Sequence, residues 1–168
     1  EPSAALVLGL GLVTGALLVS AKPLELDWLR TAGSLGILAT LLTSMEVIDA
    51  SATQQILTFV ALSAACGITT MLTTTDTRRT TIEVGVLSAA GAVGLALQPD
   101  NAPSLLVAAL AVSSLQAAAV GSTLQNLAIQ ALSPVLACAA WLVFAADTIT
   151  GGNAQWWTTS VGLALLVI

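Results

Sequence analysis

The chain contains no histidine, which removes the commonest general base and the commonest metal ligand. Charge is almost as scarce. Charged residues make up 8% of the 168, with four Lys and Arg against nine Asp and Glu, where a soluble domain carries roughly 25%. A chain so poor in charge cannot cover a water-facing surface, so lipid must be the solvent for most of it. The formal net charge of −5 is thinly spread. It argues against nucleic acid as a partner and against a basic lipid-binding patch. The two cysteines, Cys66 and Cys138, both fall inside apolar segments and read as buried packing residues, not as a disulfide or metal pair. No cofactor is expected.

What the chain does have is hydrocarbon. Hydrophobic residues make up 57% and the mean hydropathy is +0.97. The long apolar segments are too continuous for porin strands, which alternate over roughly 10 residues. The expected fold is all-α, a polytopic transmembrane helical bundle of about seven spans with the last truncated. Residues 1–168 are read as one bundle, a fragment of a longer membrane protein, because the chain opens on Glu1 and is still apolar at Ile168.

In chain order, helices are expected over about 3–21, 28–45, 53–72, 81–97, 103–121 and 124–146, with a seventh opening at Trp156 and Trp157. Lys22 and Pro23 are expected to end the first, since proline removes a ladder bond. Asp27 is placed to cap the second. Ser51 with Gln54, and Thr80 with Glu83, have capping-box spacing. GSTLQN, residues 121–126, reads as a short uncharged turn, and QPDNAP as another.

The cations set an expected orientation. Lys22 and Arg30 flank the first link, and Arg78 and Arg79 lie in the third. The second, fourth and sixth links carry Glu46, Asp49, Asp100 and Asp147 and no cation. With alternating spans, the excess of Lys and Arg puts links one and three in the cytoplasm. Packing is expected through small residues, because apolar burial drives little association in lipid. Such rows are Gly11 with Gly15; Ala32, Gly36 and Thr40; and Ala109, Ser113, Ala117 and Gly121. Gly91 and Gly94 thin one side of the fourth helix. Residues 30–72, 80–121 and 127–168 also echo one another as hairpin repeats, a pattern found in transporters but not confined to them.

The segment ACAAWLVFAADTITGGNAQWWTTSVGLALLVI, with Trp141 near a helix end and Asp147 before the outer turn, resembles a hairpin unit of long, repetitive, uncharacterised multi-spanning integral membrane proteins of actinobacteria. The resemblance covers about the last third of the chain and carries no catalytic motif. It implies a location in the bacterial inner membrane, as a multi-pass protein of the cell membrane.

Reactive chemistry is sparse, and the chain does not read as an enzyme. Glu46 with Asp49 is the one close acidic pair in the second, fourth and sixth links, and short-loop solvation accounts for it. Polar groups at membrane depth are the candidates for substrate or ion contact: Gln116, Gln130, Ser133 with Pro134, and Glu83, with Gln125 nearby. Each has a structural alternative, as interhelical glue or as a membrane-edge residue. Pro134 takes away the N–H that would serve the Gln130 carbonyl, so a kink over 130–134, turned to the bundle interior, is expected. The reading is a structural anchor or assembly part of a larger bacterial membrane protein. The alternative is permease-like or flippase-like transport of a small or lipidic substrate. The expected partners are membrane lipids and other membrane segments, of the same chain or of partner subunits.

Overall fold

A computed structural model describes residues 3–73 and 76–148, together with Gly162. Those residues form α1 (Ala4–Leu24), α2 (Asp27–Val47), α3 (Ala52–Leu72), α4 (Asp76–Ala96), α5 (Pro103–Leu124) and α6 (Leu127–Thr148). At 1.5 Å per residue each is about 31–33 Å long, close to the thickness of a bilayer's hydrocarbon. Four of them, α1, α3, α5 and α6, are apolar enough as well as long enough to cross a membrane, which fits a membrane protein. The helices α2 and α4 are as long, but charged residues in their opening turns dilute them: Asp27 and Arg30 in one, Arg78, Arg79 and Glu83 in the other. The seventh span expected from Trp156 lies outside the described residues.

Several boundaries differ from the sequence expectation. The first helix does not stop at Ala21 but runs through Pro23 to Leu24. A proline so near the end costs a single ladder bond, and the turn comes at Glu25, in the left-handed region at φ 52°. Asp27 does not cap α2. Leu26 holds the N-cap position without a side-chain bond, because the Asp27 carboxylate is taken by Arg79, 2.8 Å away. The Ser51–Gln54 capping box is present in full at the start of α3. The Thr80–Glu83 pair is no box: α4 begins at Asp76, so both residues are interior to the helix, and Arg79 with Glu83 forms an i,i+4 ion pair that supports it. The last turn is also shorter than expected. The helix α5 runs on to Leu124, Gln125 closes it at φ 51°, and the Asn126 side chain accepts from the N–H groups of Ala128 and Ile129 to cap α6.

The helices pack in three antiparallel hairpins, α1 with α2, α3 with α4 and α5 with α6. Further contacts join α3 with α5, α4 with α5, and α2 with α4. The tight pairs therefore sit one helix out of phase with the repeat units read from the sequence. The short link 48–51 does not bring α2 against α3; α4 stands between them. A trio of α3, α4 and α5 forms the centre, with the α1–α2 hairpin to one side and α6 to the other. At the end of the trio nearer the second and fourth links sits an apolar cluster of Ile56, Phe59, Ala92, Ala96 and Ala109.

Small residues govern the hairpin seams. A Cβ on Gly36 would run into the Thr14 hydroxyl and lie 3.1 Å from its methyl; one on Gly33 would strike Leu18, and Gly11 faces Thr40. Gly91 faces the Phe59 ring, whereas Gly15 and Gly94 face open space. Gly36→Leu is therefore expected to destabilise the protein by about 2–3 kcal/mol, the range of a strongly overpacked site. Thermal unfolding in detergent measures this, and an unchanged midpoint would show that this seam is not closed.

Candidate functional site

Two polar groupings lie within the bundle. The first joins the α1–α2 hairpin to the centre. Glu83 sits seven residues into α4, about 10 Å from its start. There it accepts hydrogen bonds from Thr31 Oγ1 at 3.3 Å and Ser34 Oγ at 3.0 Å. Arg79 Nε donates to its Oε1 at 3.2 Å, and Arg79 Nη1 reaches Asp27 of α2 at 2.8 Å. Ser34 is fully buried. A carboxylate at this depth is costly without partners, and α2 supplies them. Helices α2 and α4 start at the same end, so the two parallel helices are latched over their first two turns. The arrangement fits the structural reading of Glu83. Removing the carboxylate in Glu83→Ala is expected to cost about 1–2 kcal/mol, below the full value of hydrogen bonds to a charge because the group keeps some solvent. Loosening should show as lost disulfide cross-linking between cysteines placed on the facing sides of α2 and α4 outside the latch residues, with α3–α4 cross-links intact.

The second grouping is at the three-helix junction. Near the middle of the trio lie buried serines: Ser63 of α3, Ser88 of α4, and Ser113 with Ser114 of α5. Ser88 and Ser113 donate back to the carbonyls of Val84 and Ala109, each at 2.7 Å. Ser63 Oγ has no partner among the described residues. One turn further along, Gln116 of α5 inserts its side chain between Gly67 of α3 and Gly85 of α4. A Cβ on Gly67 would lie 2.5 Å from Gln116 Oε1; one on Gly85 would strike Nε2 and lie 2.8 Å from the Cys66 Cβ. The two glycines thus form the slot that the amide fills. Gln116 is 3% exposed, and among the described residues neither its oxygen nor its nitrogen has a hydrogen-bond partner. An orphaned amide of this kind costs about 1–3 kcal/mol.

The remaining candidates gather at the α5–α6 seam. Ser114 of α5 donates to the Ser133 carbonyl at 2.8 Å, and its hydroxyl lies 3.1 Å from that of Ser133. Helix α6 is continuous through Pro134, and the cross-helix donor beside the proline is Ser114. Gln116 is turned away into its glycine slot, and Gln125 sits in the turn. Gln130, Ser133 and Pro134, with Met71, Ala118 and Ser122, border a cleft of about 650 Å³ between the ends of α3 and α5 and the start of α6.

Family models, curated proteins and solved structures give no match to this chain.

Of the residues chosen for orientation, Arg79 is in the latch. Arg78 donates through Nε and Nη2 to the Thr73 carbonyl, at 3.0 and 2.7 Å, closing the third link. Arg30 lies in the first turn of α2 and Lys22 in the last turn of α1. All four cations are thus at one end of the bundle. The structure does not bring the candidate contacts into one site: Glu83, Gln116 and the Gln130–Pro134 group face different seams. Sequence reasoning missed Ser34, Ser63 and Ser114. Ser114 adjoins the small-residue row containing Ser113, but nothing in the row tells which serine turns to α6.

Proposed function

We propose that the chain is a structural unit of a larger bacterial membrane protein, a multi-pass bundle of the inner membrane in which α2 and α4 cross along with the four more apolar helices. Cations collected at one end support placing that end in the cytoplasm. The observation that carries the assembly role is the one-sided packing of the two flanking helices. Among the described elements, α1 packs substantially against α2 alone and α6 against α5 alone. On α1, Gly9 and Gly15 have nothing within 4 Å of a Cβ position, so a helix could approach closely there. Zero-length cross-linking from single cysteines at Leu8 and Leu12, in the full-length protein in its membrane, tests this. One of the two positions should link to a protein segment outside α2. Labelling of both by a lipid-soluble maleimide, with no protein cross-link at either, would contradict it.

A second reading, passage of a small or lipidic substrate, is supported by the Gln116 amide, unpartnered among the described residues and held at mid-membrane between two glycine faces. It requires those faces to part, and loss of flux on Gln116→Met in proteoliposomes would favour it.

A further inference from the structure

We propose that the junction of α3, α4 and α5 takes a small, uncharged solute rich in hydrogen-bond donors, of the ammonia or urea class, on the Gln116 amide. The inference rests on the second reading above and narrows its substrate. The buried faces of the three helices change character along their length. On α3 the buried residues include Ile56, Phe59, Ser63, Gly67 and Thr70, spaced a turn apart along one face. The first two belong to the apolar cluster with Ala92, Ala96 and Ala109, and the last three are small or polar. The antiparallel α4 matches this, with Gly85 and Ser88 giving way to Ala92 and Ala96. Helix α5 matches it too, from Ala109 to Ser113 and Gln116. Gly85 lies beside Cys66, and Gly91 faces the Phe59 ring, so this register puts Ser63 and Ser88 at one level, a turn from the glycine slot. The polar half lies toward the third link, and the apolar cluster closes the other half.

Donors and acceptors in the polar half are unequal. Thr70 donates to the Cys66 carbonyl at 2.8 Å, and Ser88 and Ser113 donate to the Val84 and Ala109 carbonyls, each at 2.7 Å. A hydroxyl whose proton is committed keeps its lone pairs, so these three groups offer acceptance alone. Gln116 Oε1 adds an acceptor. The donors left are Gln116 Nε2 and Ser63 Oγ, and among the described residues none of these last three atoms has a partner. Acceptors outnumber donors, so the complementary ligand is rich in N–H. It is also uncharged. Among the described residues the buried polar side chains are Ser, Thr and Gln alone, and an ion at mid-bilayer without a counter-charge is costly. Glu83, two residues from Gly85, is engaged on the α2 side by Ser34. An acyl chain would leave the amide and hydroxyls unpaired. Gly67 and Gly85 set the size: they flank the amide with no side chain of their own, so a slight parting of their helices admits a solute of a few heavy atoms.

Stopped-flow light scattering on the full-length protein, in vesicles of phosphatidylethanolamine and phosphatidylglycerol, provides the test. Urea should leave these vesicles faster than it leaves protein-free ones. Gln116→Met keeps the slot filled and the fold intact, and should bring the rate down to the protein-free level. Ser63→Ala should slow urea without abolishing its passage. Potassium efflux and scrambling of a fluorescent phospholipid should stay at the protein-free level throughout. Passage of potassium or phospholipid with urea at the protein-free rate would overturn this inference and leave the second reading standing. Passage of none of the three would overturn both. Urea flux unchanged in Gln116→Met would overturn the assignment to the amide.

Discussion

Replacing Gly121 with alanine should unfasten α6 from the rest of the bundle. A Cβ there would stand 2.7 Å from the backbone nitrogen of Gln130 and 3.0 Å from its Cα. Backbone cannot rotate aside as the end of a side chain can, so the added methyl must push two helices apart. The expected loss is about 3 kcal/mol, the upper part of the overpacking range. The consequence is larger than the single contact because, among the described elements, α6 packs substantially on α5 alone. The Ser114–Ser133 bonds, formed three turns of helix from the turn itself, would be lost with the seam. Gly94→Ala supplies the contrast: nothing lies within 4 Å of that Cβ position, so the change should be neutral or stabilise by about 0.5–1 kcal/mol through helix propensity. Thermal unfolding of both variants in one detergent measures the difference. Equal midpoints would mean that the α5–α6 seam is looser than described.

Replacing Gln116 with methionine should stabilise the protein. The two side chains have similar length and flexibility, so the slot between Gly67 and Gly85 stays filled. The amide's oxygen and nitrogen, both without partners among the described residues, disappear. The gain should be about 1–3 kcal/mol, the cost of an unsatisfied buried polar group. Gln116→Ala separates filling from polarity: it also removes the amide but leaves a cavity, and should destabilise by about 2–3 kcal/mol. A methionine variant less stable than the native protein would show that the amide makes bonds in the membrane that the packed junction does not contain.

The helices themselves were legible because their apolar runs match a bilayer in length. Terminal signals were legible only where the partner was local. Ser51 and Gln54 satisfy each other within one turn, and that box is present. Thr80 with Glu83 and the isolated Asp27 carry the same kind of signal, yet their partners lie across the bundle. Arg79 bridges Asp27 and Glu83, and Ser34 and Thr31 complete the latch, so tertiary bonds displaced the caps. Gly36 and Gly121 were visible as small residues in rows, and both sit at close seams. Gly15 belonged to such a row and faces open space. Which face of a helix turns inward was not legible, because a helix apolar all round has no stripe to read. For the same reason the order of packing, with α4 between α2 and α3, was beyond the sequence, and so was the seating of Gln116 between Gly67 and Gly85.

The central claim is that all six described helices cross the membrane in alternation, including the charge-bearing α2 and α4. Single cysteines at Glu25, Asp49, Asp100 and Gln125, each in a chain with Cys66 and Cys138 replaced by alanine, test it by labelling intact cells and inverted vesicles with a membrane-impermeant maleimide. All four positions are exposed at helix ends. Glu25 and Gln125 should react only from the cytoplasmic side, and Asp49 and Asp100 only from the opposite side. Reaction of positions 25 and 49 from the same side would show that α2 does not cross, and would contradict the account.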